Sequence, residues 1–199
     1  MSMPKLLAEG LLRATLSEPL PQPGDEALAE LASRLDLAAN KRLGRSLAVR
    51  HVDAGSCNGC ELEIHALSNP FYDLERLGLR FVASPRHADV LMVTGPVTVN
   101  MREALERTFV ATPGPKWVVA VGDCALNGGL FAGGYACLDG VSAALPVDLH
   151  IRGCPPDPMA LLRGLSALLE ASATGGAARS VASGFFQRTP LRRIQPPPR

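Results

Sequence analysis

Four of the five cysteines in this sequence could together hold a metal group. Cys57 and Cys60 form a Cys-x-x-Cys pair, and Cys124 and Cys154 follow much later in the chain. Thiolates are soft ligands, and a cubane iron-sulfur cluster takes four of them, often a close pair with further ligands from elsewhere in the chain. The pattern therefore indicates an iron-sulfur cluster and, with it, electron transfer.

Each of these cysteines comes shortly after an apolar run that is typical of a β-strand. The predicted strands are residues 47–52, 79–82, 90–93, 117–121 and 147–151. The predicted helices within the same region are residues 61–67, 101–110 and 157–170. Alternation of strands and helices predicts an α/β domain with a mostly parallel sheet, in a flavodoxin-like three-layer arrangement. The carboxyl ends of parallel strands share one edge, so we expect the four cysteines to meet there.

A chain of 199 residues is long enough for one core of ordinary size. We expect an N-terminal arm at 1–44, the iron-sulfur α/β domain at 45–172 and a C-terminal tail at 173–199. The arm contains a short leucine stripe near Leu6, a break at Pro19, Pro21 and Pro23, and a helix predicted at 26–35. That helix could wrap a neighbouring subunit or pack on its own domain.

The charge balance and the N-terminus limit the possible partners and location. With 20 basic and 19 acidic side chains the chain is close to neutral, which argues against nucleic-acid binding. No secretory signal is recognisable, and no apolar stretch reaches the ~20 residues needed to span a bilayer, so a cytoplasmic location is expected. An odd number of cysteines in such a chain makes a disulfide framework an unfavourable interpretation.

Zinc is the other metal that four cysteines could hold. Zinc modules usually bring two close cysteine pairs in a small knuckle, whereas here one pair is joined by two distant single cysteines. This spacing favours the cluster. The glycines beside the ligands, among them Gly122 and Gly153, would let the backbone turn closely around a bulky group. Cys137 is expected to be a buried, small apolar residue outside the set.

Other candidate functional residues are weaker. Glu61 and Glu63 follow the cysteine pair at the start of a predicted helix, where the helix dipole stabilises a carboxylate and where a carboxylate could also relay protons near a redox centre. The four histidines are scattered and are interpreted as structural. Neither G-x-G-x-x-G nor G-x-x-x-x-G-K-[ST] occurs, so no NAD or ATP site is predicted.

Three segments around the cysteines carry a resemblance to a known family. They are Gly-Ser-Cys-Asn-Gly-Cys-Glu-Leu-Glu at 55–63, Gly-Asp-Cys-Ala at 122–125 and Gly-Cys-Pro-Pro-Asp-Pro at 153–158. Together they resemble the family of the complex I 20 kDa proteins and nickel-iron hydrogenase small subunits, from about residue 47 to 169. Complex I proteins carry two adjacent cysteines at the first position, whereas two residues separate Cys57 and Cys60. This difference favours the membrane-bound group 4 hydrogenases of the formate hydrogenlyase type.

The resemblance implies that one 4Fe-4S cluster is held by Cys57, Cys60, Cys124 and Cys154, close to a nickel-iron site in a separate large subunit. It implies a non-catalytic electron-transfer role for this chain within an oxidoreductase complex. The implied partners are that large subunit, ferredoxin-like iron-sulfur subunits and integral membrane subunits, which would hold the chain at the cytoplasmic face of the inner membrane. By the same similarity, Glu61 and Glu63 are candidates for the interface or a proton path.

Two alternatives remain open at this stage. The chain could be the equivalent 4Fe-4S subunit of an NADH:quinone oxidoreductase-type or hydrogenase-related complex that lacks nickel. It could instead be a structural docking module whose cysteines hold zinc. The metals in the purified complex would distinguish all three functions.

Overall fold

The computed structural model describes residues 44–173 and, before them, Glu30, Leu31, Ser33, Arg34, Leu35 and Leu37. The strands between residues 44 and 173 are β1 (Leu47–Asp53), β2 (Leu79–Phe81), β3 (Val90–Thr94), β4 (Trp117–Val121) and β5 (Leu149–Ile151). The helices of the same segment are α1 (Gly59–Ala66), α2 (Val99–Ala111), α3 (Asp123–Asn127) and α4 (Pro158–Ala173). Every strand and helix expected here from the sequence is present, with small differences at the ends, and α3 is an addition.

The five strands form one sheet in the order β2-β1-β3-β4-β5, and every neighbouring pair is parallel. This is the strand order of flavodoxin-like folds, so the predicted fold class is confirmed. β3 and β4 lie in the middle, and all of their residues are buried. Apart from Thr94 their residues are all apolar, because helices cover both faces of a parallel sheet.

Two hydrophobic cores lie on opposite faces of the sheet. On one face α1 and α4 pack against the strands, through side chains such as Ile64 and Leu165. On the other face α2 and α3 contribute Leu105 and Ala125. The alternation of side chains along each strand supplies both cores, which gives the three layers that the sequence predicted.

The described part of the N-terminal region packs on this same domain. Leu31 and Leu35 are helical and buried in the core that contains α4. Arg34 forms an ion pair with Glu170 of α4, with 2.7 Å between Nη2 and Oε1. Of the two arrangements considered for this helix, packing on its own domain is therefore the one seen for these residues. The leucine stripe near Leu6 and the tail at 174–199 lie outside the described residues.

Asp89 and Asp148 each form two further hydrogen bonds to a neighbouring strand, at the amino ends of two strand pairs. The backbone N–H of Asp89 donates to Ala48 O over 2.8 Å, and the Ala48 N–H donates to the Asp89 carboxylate over 3.0 Å. Asp148 makes the same two bonds with Val118, at 2.9 and 2.8 Å. We call this reciprocal pair of bonds an aspartate clamp. It satisfies backbone groups that the ladder leaves without a partner.

Candidate metal centre

The fold brings together the four cysteines that were predicted from the sequence to be ligands. Cys57 lies in the turn after β1 and Cys60 in the first turn of α1; Cys124 is the second residue of α3, directly after β4, and Cys154 follows β5. All four line one cavity of about 60 Å³ at the carboxyl edge of the sheet. This position is where ligands bind in open α/β sheets.

The four thiols differ in their exposure to solvent. Cys60 is buried and Cys124 is half-buried, whereas Cys57 and Cys154 are exposed. The cavity therefore has a closed side, formed by α1 and the sheet, and an accessible side. A group bound there would be anchored from within the protein and remain reachable from outside.

Gly122 shows how closely the backbone approaches these thiols. A Cβ at this position would lie 2.6 Å from the Sγ of Cys60, and the backbone has φ 89°. That distance is far below normal van der Waals contact, and the conformation is one that glycine adopts readily. A glycine is therefore required here if Cys60 is to keep its place in the cavity wall.

The protein environment makes two of the thiols poor acids. Burial raises the pKa of Cys60 from 9.0 to about 12, and the negative charge of Glu61 and of the other three cysteines adds to the rise. Burial also raises the pKa of Cys124, with a further contribution from Cys154. Metal ligation needs the thiolate, so positive charge from the bound metal has to displace these protons.

The donor set fits a thiolate-bound metal group. Four soft sulfur donors surround one cavity, as in Cys₄ iron-sulfur clusters and Cys₄ zinc sites. Across the described residues, no group of three or more His, Cys, Asp or Glu side chains has the arrangement of a site for a single metal ion. Cys137 does not line this cavity; it lies in a separate surface groove.

Two aspartates brace the loops that carry the ligands. The Asp53 carboxylate accepts hydrogen bonds from the N–H groups of Gly55 and Ser56 at 2.8 and 2.7 Å, which shapes the turn before Cys57. Burial alone would raise the pKa of Asp53, but these hydrogen bonds outweigh it and lower that pKa. Asp123 forms a third aspartate clamp, with Gly153: its N–H donates to Gly153 O over 2.9 Å, and its Oδ1 accepts from Gly153 N–H over 3.1 Å.

Glu61 occupies an unusual environment next to the cysteine pair. It is 6% exposed, and neither carboxylate oxygen has a hydrogen-bond partner among the described residues. His51 Nε2 lies 3.8 Å from Glu61 Oε1 and 3.0 Å from Thr94 Oγ1. Burial lowers the pKa of His51 despite the opposing effect of Glu61, so this imidazole is largely neutral at pH 7. Glu63 is half-buried on the same helix, and neither glutamate lines the cavity.

An apolar surface loop begins beside the cysteine cavity. Residues 129–137, the apolar loop, contain no charged side chain. Leu130 is 89% exposed and Tyr135 is 95% exposed, and the loop curls around a groove of about 420 Å³. At its start Gly129 lies against Cys124, since a Cβ there would be 2.9 Å from the Sγ.

Sequence reasoning identified the four cysteines and Glu61 but missed the residues that surround them. Asp53, Asp123 and Thr94 were not selected. The contacts of Thr94 and Asp123 join positions far apart in the chain. Asp53 acts through hydrogen bonds to the backbone of the next turn, which no apolar pattern marks. A Gly-Asp-Cys tripeptide after a predicted strand was the available signal for Asp123.

None of the helices that the structure describes is long and apolar enough to cross a membrane.

Known proteins match both the sequence and the fold. A family model described as NADH ubiquinone oxidoreductase, 20 Kd subunit, matches residues 57–168, more than half of the chain. The chain is 42% identical over 151 residues to formate hydrogenlyase subunit 7 of Escherichia coli, covering 76% of this chain and 58% of that protein's length. It is 46% identical over 130 residues to a probable membrane-bound hydrogenase subunit of Pyrococcus furiosus, covering 65% and 78%.

A solved structure matches the fold of this chain. It is the membrane-bound sulfane sulfur reductase, an archaeal respiratory membrane complex. One chain of that complex matches with a TM-score of 0.60 and 32% identity, and the match covers 75% of this chain and 78% of that one. The family model and the two relatives confirm the resemblance seen in the cysteine segments. The chain belongs to the family of the NADH ubiquinone oxidoreductase 20 kDa subunits, which also includes subunits of membrane-bound hydrogenases.

Proposed function

We propose that this chain is the electron-transfer subunit of a membrane-associated, energy-converting nickel-iron hydrogenase complex of the formate hydrogenlyase type. One 4Fe-4S cluster would be held by Cys57, Cys60, Cys124 and Cys154. The observation that carries the proposal is that these thiols, from three different strand ends, line one cavity. The relatives named formate hydrogenlyase subunit 7 and membrane-bound hydrogenase subunit support the type of complex.

The bound cluster would supply one-electron transfer. The protein's part is to hold and shield it: Cys60 anchors it from the buried side, and Gly122 leaves room for that sulfur. The N–H of Leu130 hydrogen-bonds to Cys124 and works against the rise in its pKa. A donor of this kind favours negative charge on the sulfur. The exposed side at Cys57 and Cys154 leaves an approach for a redox partner.

We propose the apolar loop as part of the surface that binds the nickel-iron large subunit. It starts at Gly129, which lies against Cys124; it is uncharged and exposes Leu130 and Tyr135 almost fully. Exposed apolar side chains of this size mark interaction sites, and aromatic residues are frequent anchors at interfaces. An interface beside the cluster would also keep the distance for electron transfer short.

The loop can be tested by co-purification. Leu130→Asp and Tyr135→Asp should each lower the amount of large subunit recovered with this chain, while the chain keeps its iron. Val110→Asp is the matched control, because Val110 is 62% exposed near the far end of α2, away from the cavity. Equal recovery of the large subunit with all three variants would contradict the interface.

Glu61 is the first candidate for a residue on a proton path near the cluster, and Glu63 is the second candidate. Burial and contact with the His51–Thr94 pair support Glu61. A carboxylate in such a place can accept and pass on a proton. Glu61→Gln should lower hydrogen evolution by the complex and leave the cluster reducible by a chemical reductant, and Glu63→Gln should have a smaller effect. Unchanged hydrogen evolution in Glu61→Gln would exclude the role.

Ferredoxin-like subunits are proposed as the other electron partners, and integral membrane subunits as the anchor. Association with the membrane would then be peripheral, at the cytoplasmic face of the inner membrane. The names of the relatives support this arrangement, since they describe membrane-bound complexes. For this chain we retain the predicted division into an arm at 1–44, a domain at 45–172 and a tail at 173–199.

Metal analysis of the complex tests the proposed function directly. The complex is purified without oxygen through a tag on this chain, and iron, acid-labile sulfide, nickel and zinc are measured. About one nickel per complex, with about four irons for this subunit's cluster, is the expected result. Zinc without iron would overturn the proposal and favour a structural docking module.

A second function is favoured by one specific observation. The structural match is to a chain of a sulfane sulfur reductase complex, and that name refers to sulfur chemistry rather than hydrogen. This chain could therefore serve a hydrogenase-related or quinone-reducing complex without nickel, in which the cluster and its ligands stay the same. Iron and sulfide without nickel in the purified complex would select this function.

A further inference from the structure

Asp123 is an acidic residue at the cysteine cavity. It lines that cavity together with the four thiols and directly precedes Cys124. Its clamp with Gly153 joins the turn that carries Cys124 to the turn that carries Cys154, through bonds of 2.9 and 3.1 Å. The positions of two proposed ligands are therefore coupled through the backbone and side chain of this one residue.

The other clamps show what such a bond pair does without a metal group nearby. Asp148 makes the same reciprocal bonds with Val118 at the opposite end of the same strand pair, β4 and β5. Asp148 does not line the cysteine cavity. Fastening two adjacent strands thus explains Asp148 in full. An asparagine would keep an acceptor oxygen in the same place, so fastening alone requires no charge.

We propose that Asp123 is a positioning residue that also sets the redox behaviour of this centre. Its backbone and carboxylate hold the Cys124 and Cys154 turns together, and its negative charge beside the cavity lowers the reduction potential of the bound cluster. This inference rests on the proposed 4Fe-4S cluster and goes beyond ligand assignment to how strongly the centre holds an electron.

The direction of the effect follows from charge. One-electron reduction, with the electron supplied by a partner subunit's own redox centre, adds one negative charge to the region enclosed by the thiolates. A carboxylate in the wall repels that added charge, and the repulsion is stronger in a partly buried site than in water. Net charge and solvent exposure are among the features that set the potential of iron-sulfur clusters. Removing the charge of Asp123 should therefore make reduction easier.

The test compares Asp123→Asn with Asp148→Asn in the full chain, produced without oxygen. Both changes remove one carboxylate charge and keep the acceptor of a clamp. Redox titration followed by electron paramagnetic resonance should give a higher midpoint potential for Asp123→Asn and the wild-type value for Asp148→Asn. Asp123→Ala removes the acceptor as well, so it should release iron to a chelator faster than Asp123→Asn does.

Several results would overturn the inference. A wild-type potential in Asp123→Asn would exclude the charge effect, and an equal shift in Asp148→Asn would make it non-specific. Loss of iron from Asp123→Asn would contradict the clamp, since the amide retains the hydrogen bond. A wild-type chain without iron and sulfide would instead refute the proposed function itself, so the two failures are distinguishable.

Discussion

Replacement of Gly122 by alanine should displace Cys60 from the metal centre. The new Cβ would lie 2.6 Å from the Cys60 Sγ. Non-bonded atoms prefer roughly 3.5 Å or more, so the sulfur or the backbone has to move by about 1 Å. Metal sites tolerate deviations of only ~0.2 Å in ligand distance. We therefore expect Gly122→Ala to lose most of its iron.

Gly133→Ala is the matched control for backbone strain. Gly133 also has a positive φ, 72°, but, its two chain neighbours aside, none of the described residues has an atom within 4 Å of a Cβ built there. Both substitutions introduce strain of roughly 1–3 kcal/mol, and Gly122→Ala adds about 1–3 kcal/mol for overpacking. For a chain of this size, that added cost lowers the midpoint of thermal unfolding by roughly 2–12 °C.

Two measurements on these two variants test the prediction. Thermal unfolding of the metal-free chains gives the difference in stability between Gly122→Ala and Gly133→Ala. Iron and sulfide analysis of the chains isolated without oxygen gives the effect on the cluster. If Gly122→Ala bound as much iron as Gly133→Ala and unfolded at the same temperature, the reasoning about the Cys60 contact would be wrong.

Four further results are expected. Cys124→Ser and Cys154→Ser should bind little iron, whereas Cys137→Ser should bind the wild-type amount. Iron is measured on anaerobic preparations, and iron loss confined to the Cys137 variant would refute the ligand assignment. In the metal-free chain, a rise in pKa from 9.0 to about 12 leaves Cys60 with roughly a thousandfold less thiolate near neutral pH than an ordinary cysteine. Alkylation of Cys60, followed by mass spectrometry, should therefore be slow, and its rate should keep rising above pH 9. Because the folded chain keeps this proton where the unfolded chain has lost it, the metal-free fold should lose stability between pH 9.0 and about 12, as denaturant titrations would reveal. Leu35→Ala should cost about 2–5 kcal/mol in the same titrations, and a cost near zero would contradict the packing of the N-terminal helix.

Much of the fold was predictable because its signals are local. The Trp117–Val121 strand is an uninterrupted apolar run between Pro115 and Gly122, which is typical of a central parallel strand. The cysteine site followed from strand polarity alone, since any parallel arrangement brings the carboxyl ends to one edge. The cysteine spacing was therefore sufficient to select four residues that line one cavity.

The features that sequence reasoning missed are either too short to show a repeat or depend on contacts between distant parts of the chain. Helix α3 has five residues between Gly122 and Gly128, too few to give a helical repeat of apolar side chains. The clamp between Asp123 and Gly153 joins positions 30 residues apart. Burial of Glu61 depends on how α1 rests above His51 of β1, and nothing in the local sequence specifies that packing.

The unequal exposure of the four cysteines bears on how the centre is assembled. Apart from Cys60, the domain's two hydrophobic cores consist of residues other than the proposed ligands, and its ligand turns are braced by Asp53 and Asp123. Iron and sulfide would then enter a preformed receptacle from its solvent side. A donor protein would meet Cys57 and Cys154 first, and ligation by the buried Cys60 would complete insertion. Maturation of the complex would thus include a folded, metal-free stage that partner subunits have to leave accessible.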